Sequence, residues 1–262
     1  MMKINEYYRD TAHMHLNGSI ASLVPTIMIV IGNLSVLKNN NIMLLTIPFL
    51  IYSFISFQIY LFRMRQSIAI RRNLQSSKRT AKSIFDARHL LVLFRNSQSS
   101  CLFLYFPDGH LAGQIKKYKG TGLKRFKLSR TYALYNMEDQ VQGFFKLTGK
   151  KVLKIEVYDN NRTFLGEFEK KSKGFLQDKK ELMDQSGKYI GMVEGAKAFM
   201  DVHVYDPKNQ EVGRLRRGWM PMEWSPLFPE PNTPVLSIRE SMSESEKLLR
   251  MSFLINEFFV ER

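Results

Sequence analysis

Residues 247–262 read KLLRMSFLINEFFVER, an apolar helix that closes the sequence after a long stretch of β-strand pattern. Leu248, Leu249, Met251, Phe253, Leu254, Ile255, Phe258, Phe259 and Val260 cover more than one helical stripe, so the pattern predicts burial nearly all round. A buried helix following so many strands points to a barrel closed around its last element. Ser243 and Glu246 fit a capping box, in which hydroxyl and carboxylate each satisfy a backbone N–H that the first turn leaves without a partner. Length excludes a membrane span here, since about 14 residues at ~1.5 Å rise cover only ~21 Å of a ~30 Å hydrocarbon layer.

Working back from the helix, short β runs at 89–94, 100–106, 152–158, 164–169, 180–183, 189–194, 200–205 and 211–216 are separated by turn residues, as an antiparallel meander requires. An internal repeat lies among them. Residues 157–168 read VYDNNRTFLGEF, 182–193 LMDQSGKYIGMV and 204–215 VYDPKNQEVGRL. In each, an aspartate (Asp159, Asp184, Asp206) ends one strand and a glycine (Gly166, Gly191, Gly213) falls seven positions later, early in the return strand. A looser copy, LYFPDGHLAGQI at 104–115, turns at Asp108 and Gly109. The carboxylates are read as turn formers that bond nearby backbone, and the glycines as points where a strand coils or a neighbour approaches closely.

The front of the chain has a different character. Residues 20–37 and 42–62 carry no charge, and the second run would rise ~31 Å as a helix, close to the thickness of a bilayer core. Lys38, Asn39, Asn40 and Asn41 form a polar turn between them, so the two runs predict a transmembrane hairpin with both termini on one side. Arg63, Arg65, Arg71, Arg72, Lys78, Arg79, Lys82 and Arg88 follow the second run, whereas the turn holds only Lys38; the positive-inside rule places both ends in the cytoplasm. A signal peptide is the competing reading, but no small-residue cleavage site separates the two apolar runs. The expected organisation is a cytoplasmic segment at 1–19, the hairpin at 20–62, a basic connector at 63–88 and a barrel at 89–262, a multi-pass protein of the cell membrane.

Of 39 Lys and Arg, three precede Arg63, as do two of 24 Asp and Glu, so the segment from Arg63 onward holds +14 of the net +15. Its densest stretch is QIKKYKGTGLKRFKLSR at 114–130, where Lys116, Lys117, Lys119, Lys124, Arg125 and Lys127 interleave with Tyr118 and Phe126. Those eight are the candidate lipid-binding residues: cations for anionic phospholipid headgroups, aromatic rings for the interface. Nucleic acid suits the same mixture through phosphate contacts and stacking, but a tethered domain meets headgroups first. An ordinary solvated basic loop is the plain alternative.

Residues 213–261, GRLRRGWMPMEWSPLFPEP followed by KLLRMSFLINEFFVE, resemble the C-terminal part of phospholipid scramblases, with Phe253, Leu254, Ile255 and Asn256 matching an FLID-type motif in which asparagine replaces aspartate. Scramblases in turn resemble the tubby C-terminal domain and the plant LURP-one-related proteins. The resemblance implies a twelve-stranded closed antiparallel barrel threaded by the C-terminal helix. It departs in that Met222 to Val235 offers only Glu223 and Glu230 where scramblases bind calcium, too few hard oxygen ligands. The proline-rich leader and palmitoylated cysteines of that family are also missing.

The histidines His13, His15, His89, His110 and His203 are scattered, and the sequence contains no GxxxxGK, GxGxxG or GxSxG motif. The lone Cys101 excludes an intrachain disulfide, fits a reducing compartment and is read as a buried strand residue rather than a nucleophile. No catalytic residue, metal or cofactor is predicted. The expected function is a non-enzymatic module binding anionic headgroups or a membrane partner. A lipid scramblase or transporter and a membrane-tethered nucleic-acid-binding regulator are the alternatives.

Overall fold

Asp159, Asp184 and Asp206 turn the chain in one and the same way in the computed structural model, which describes residues 3–74, 83–95, 100–119, 130–149, 152–172, 178–196 and 201–261. Each carboxylate accepts backbone N–H bonds across its own turn, Asp159 from Thr163 (2.7 Å), Asp184 from Ser186 and Lys188 (2.8 and 3.0 Å), Asp206 from Lys208 and Gln210 (both 2.9 Å). The residue three positions on is left-handed in every case: Arg162 at φ 67°, Gly187 at 77°, Asn209 at 60°. A type I turn followed by a left-handed residue has the twist that a three-residue hairpin needs.

The twelve strands so connected are β1 (His89–Arg95), β2 (Cys101–Tyr105), β3 (Leu111–Lys117), β4 (Thr131–Asn136), β5 (Val141–Thr148), β6 (Leu153–Asp159), β7 (Phe164–Ser172), β8 (Asp178–Asp184), β9 (Tyr189–Ala196), β10 (Asp201–Tyr205), β11 (Glu211–Arg216) and β12 (Val235–Ile238). Each pairs antiparallel with its neighbour in sequence, and β12 pairs with β1 to close the barrel. The sequence pattern had not marked β4, β5 or β12 as strands. It had also missed a fifth copy of the repeat, Leu134–Phe145 in sequence order LYNMEDQVQGFF, where Asn136 accepts from the N–H groups of Glu138 and Gln140 (both 2.9 Å) and Asp139 takes the left-handed position at φ 59°.

All five hairpins slip register one step before the turn, opposite a glycine: Leu104 faces Gly113, Leu134 faces Gly143, Val157 faces Gly166, Leu182 faces Gly191 and Val204 faces Gly213. The bulge bends the strand and the glycine leaves room inside the bend. What occupies that room is the C-terminal helix. A Cβ at Gly143 would strike Leu248, one at Gly166 would meet Leu249, and one at Gly191 would crowd the Arg250 guanidinium. Gly113 serves the same purpose for Ile84, in the turn Ile84–Asp86 that precedes β1.

The helix itself starts at the predicted capping box: Ser243 Oγ accepts from the Glu246 N–H (3.2 Å), and the Glu246 carboxylate accepts from the Ser243 N–H (2.9 Å). It runs as an α-helix over Glu244–Met251, resumes at Phe253–Ile255 and ends in a π turn, Asn256–Val260. Leu248, Leu249, Met251, Phe253, Leu254, Ile255 and Phe258 join Leu102, Leu134, Phe145, Ile155, Phe168 and Leu182 from the strands in one buried core. Lys247 is buried too, its ammonium donating to the Phe85 carbonyl at 2.6 Å, which satisfies a charge that the core would otherwise reject.

The segment Met2–Ser77 is a separate unit. One helix, α1 (Ile4–Gly32), continues as a π turn through Leu37; Lys38 adopts a left-handed conformation (φ 47°) and reverses the chain. The return helix α2 (Ile47–Leu74) continues twelve residues past the apolar run that ends at Phe62, through residues assigned to a connector. Both helices are long and apolar enough to cross a membrane. Ile4, Tyr8, Ala12, Ile70 and Leu74 are buried near the open end of the hairpin, whereas along the apolar runs the buried residues are small and polar, among them Ser19, Ser22, Thr26, Ser53 and Ser56. Ser19 Oγ donates to the Ser53 carbonyl (2.9 Å), Ser53 Oγ returns a bond to the Ser19 carbonyl (3.1 Å), and Ser67 Oγ donates to the Asn5 carbonyl (2.7 Å).

Two substitutions test the packing. Leu254→Ala empties a wholly buried site and is expected to cost about 2–5 kcal/mol, read as a lower melting temperature. Gly191→Ala adds a Cβ against both the Tyr205 carbonyl and Arg250 at φ 155°, and is expected to destabilise by several-fold more than Gly187→Ala, which meets open space and suffers only the ~1–2 kcal/mol of a left-handed alanine. Equal melting temperatures for the two alanine variants would show that the helix does not use that space.

Candidate lipid-binding site

Of the predicted cluster, Lys116, Lys117, Tyr118 and Lys119 stand at the end of β3 and just beyond; Lys124, Arg125, Phe126 and Lys127 lie outside the described residues. Strand alternation sends the four to two faces. Lys116 is engaged: its ammonium sits 3.0 Å from Asp139 Oδ1 and 4.3 Å from the centre of the Tyr135 ring, while Gln114 donates to the same carboxylate oxygen (2.8 Å). The hydrogen bond from Lys116 holds the Asp139 carboxyl below its usual pKa. Tyr118 packs edge-on against Phe144, with ring centres 5.1 Å apart. Lys117 and Lys119 are exposed and have no acidic partner among the described residues.

One wall of the barrel has its charges paired. Across β5, β6, β7 and β8 runs a ladder in which Lys146 pairs with Glu156 (2.8 Å), Lys154 with Glu167 (3.1 Å) and Glu169, Lys171 with Glu169 (2.7 Å), and Lys179 with Glu181 (2.6 Å). Hydrogen bonds from Lys154 and then Lys171 depress the Glu169 pKa. Lysines that reach solvent on one side limit what each pair adds to stability, although Glu169 and Glu181 are themselves buried, and together the pairs neutralise this wall. The unbalanced positive charge is therefore left at places such as Lys117, Lys119 and Arg130.

Near the end of the C-terminal helix, inward-facing Lys180 donates to Glu257 (2.6 Å) and Lys170 to Glu261 (2.5 Å), and Lys170 also meets Asp178 (3.0 Å). Asn256 donates its amide to both Glu257 (3.0 Å) and Glu261 (2.8 Å). Burial works to raise the Glu261 pKa, but the bonds from Lys170 and Asn256 and the nearby Lys180 charge outweigh it and hold it low. An aspartate at 256 would place a third carboxylate against these two; the asparagine is the complementary choice.

On the outer wall, a cross-strand row that the sequence had not singled out joins His89, Ser237, Arg214 and His203. Arg214 grips Asp201 through two 2.8 Å bonds, which lower the Asp201 pKa, and His203 lies between Glu211 (2.6 Å) and Asp201 (3.3 Å). Strict alternation on β10 could have placed His203 outside, but nothing in the sequence could have named its partners. His89 Nδ1 is 2.9 Å from Ser237 Oγ beside an open groove of about 430 Å³ that also borders Arg88, Glu211 and Arg239. Among the described residues no carboxylate orients the other nitrogen of His89, so the pair lacks the third group of a nucleophilic relay. Burial, with Arg88 nearby, lowers the His89 pKa. No three His, Cys, Asp or Glu side chains group as a metal site among the described residues.

No protein-family model matches this chain, and no curated protein matches it. An X-ray structure of a protein from Arabidopsis thaliana, AT5G01750, aligns over 66% of this chain and 91% of its own, with 13% identity and a TM-score of 0.44.

Two measurements follow from the local electrostatics. Burial pushes the Cys101 thiol up to about 11, so thiolate is scarce at pH 8, and alkylation of the native protein should be slow until denaturant is added. Rapid native labelling would contradict the buried placement. For Asp201 and Glu169, folded pKa values lie below the unfolded ones of about 3.9 and 4.3, so their stabilisation is complete above about pH 5 and is lost as pH falls through the folded values. Melting temperature should therefore drop between about pH 5 and pH 3, and drop less steeply in Asp201→Asn.

Proposed function

We propose that this chain is a membrane-anchored barrel of the tubby and scramblase type, whose helical hairpin spans the bilayer and whose barrel binds anionic phospholipid headgroups in the cytoplasm without catalysis. The inverted polarity of the hairpin carries the anchoring. Ser19, Ser22, Thr26, Ser53 and Ser56 are buried between or within its helices, while Ile20, Val24, Ile27, Met28, Ile31, Leu50, Ile51, Phe54 and Ile55 are exposed. In water that arrangement wastes the apolar surface; in hydrocarbon it is favourable, because small hydroxyl residues let helices approach and bond while lipid covers the rest. Arg63, Arg65, Arg71 and Arg72 on the continuing helix α2 favour a cytoplasmic barrel of a multi-pass cell-membrane protein.

Headgroup binding is supported by the unbalanced charge at Lys117 and Lys119, since each basic residue near an anionic surface contributes about 1 kcal/mol at low salt. Lipid transport is less well supported, because Ser19 and Ser53, which could line a polar track, are already bonded to each other across the hairpin.

Two experiments on the full chain test this. In a Cys101→Ser background, Asn40→Cys should react with an impermeant thiol reagent from outside cells and Asn161→Cys should not; the reverse pattern would invert the topology. In proteoliposomes, acylation of Lys117 and Lys119 should be slower on anionic than on neutral lipid, and high salt should remove the difference. Equal acylation on both lipids at low salt would remove the headgroup reading, and protection by added nucleic acid instead would favour a nucleic-acid regulator.

A further inference from the structure

Between β11 and β12 the chain leaves the barrel wall for a long excursion, and its first part is exposed without a break from Arg217 to Trp219 and again from Pro221 to Glu223. Gly218, at φ 78°, turns the chain outward there. Among the described residues from Ser83 onward, the exposed large apolar side chains are Trp219 (67%), Met222 (88%) and Val260 (39%). Two of these three lie within four positions of each other, on either side of Pro221. The other large apolar side chains of the described barrel are buried or only partly exposed, and apolar exposure clustered in this way marks an interaction surface.

The excursion is built to hold them in place. Phe228 is fully buried and rests against Tyr105, with ring centres 6.3 Å apart. The Trp224 N–H donates to the Pro221 carbonyl (3.1 Å), and both the N–H and Oγ of Ser225 donate to the Met222 carbonyl (3.1 and 2.6 Å), closing a short helical turn under Met222. Arg216 stacks its guanidinium 3.6 Å from the centre of the Trp219 ring, so the indole is presented with a cation on it. Arg216 ends β11, at the barrel end where β3 also ends; exposed Lys117, Lys119 and Arg217 belong to that same end. An indole, a methionine and a proline rimmed by cations is the composition that settles at the boundary of headgroups and acyl chains.

We infer that Trp219 and Met222 form a wedge that inserts into the interfacial layer of an anionic bilayer, with Arg216, Arg217, Lys117 and Lys119 over the headgroups. This rests on the headgroup-binding reading and adds to it the surface that meets the membrane. The occupant is a bilayer because the chain carries two helices able to cross one, and because the cationic rim complements anionic lipid.

The sequence holds two tryptophans, so Trp224→Phe leaves Trp219 as the sole indole of the full chain. In proteoliposomes of anionic lipid, its emission should shift to the blue relative to neutral lipid, and phospholipids brominated near the headgroup end of the acyl chain should quench it. Because Trp224 lies near His89, a second probe is placed independently: Cys101→Ser with Met222→Cys, labelled with an environment-sensitive fluorophore, should brighten in the same vesicles. Trp219 emission typical of hydrated indole, unquenched by brominated lipid while Lys117 and Lys119 are still protected from acylation, would overturn the wedge and leave headgroup binding standing. Loss of both signals would overturn both. Shielding from acrylamide without quenching by brominated lipid would assign the tip to a protein contact and overturn the wedge.

Discussion

The contact between the C-terminal helix and the glycines of the barrel wall is the constraint to which the other features answer. A twelve-stranded barrel encloses more space than strand side chains alone fill, and a helix is a compact way to fill it at interior density. The helix can sit close only where the wall has no Cβ, at Gly143, Gly166 and Gly191, and successive helix residues Leu248, Leu249 and Arg250 meet successive glycines. The bulge opposite each glycine supplies the bend that closes the barrel, so the wall curves because of the same residue that admits the helix. Fixing the helix also fixes the paired charges at its far end, where Glu257 and Glu261 meet Lys180 and Lys170.

Much of this was legible in the sequence because it rests on local chemistry. The capping box at Ser243 and the all-round apolar pattern of residues 247–262 are properties of one segment, and three Asp-to-Gly repeats could be aligned by eye. The fourth good copy escaped because Asn136 stands in the aspartate's place, although an amide oxygen accepts the same two backbone bonds as a carboxylate. β12 escaped because four residues give too little alternation to detect.

The candidate site was less legible, since pairing across strands is invisible in one dimension. Lys116 looked equivalent to Lys117 and Lys119, but alternation and a turn 23 residues away give it Asp139 as a partner. The composition was correctly read as strongly basic, yet its distribution depends on which lysines face glutamates on neighbouring strands. The tryptophan-rich turn was visible as a pattern; that Trp219 and Met222 face outward while Phe228 faces inward depends on the wall against which the excursion packs.

Closure of the barrel by β1 against β12 sets a schedule for synthesis. The hairpin emerges first, and β1 follows; its second partner is made only about 145 residues later, on the order of ten seconds at ~5–20 residues per second. Until then one edge of β1 is unpaired, and the helix that fills the interior does not yet exist. The five hairpins can form locally as they appear, each with its own aspartate or asparagine or glycine turn, but the core cannot. This chain therefore passes through a period in which its N-terminal helical hairpin is complete and its barrel is an open, strongly basic sheet, a state in which edge pairing between neighbouring chains competes with closure.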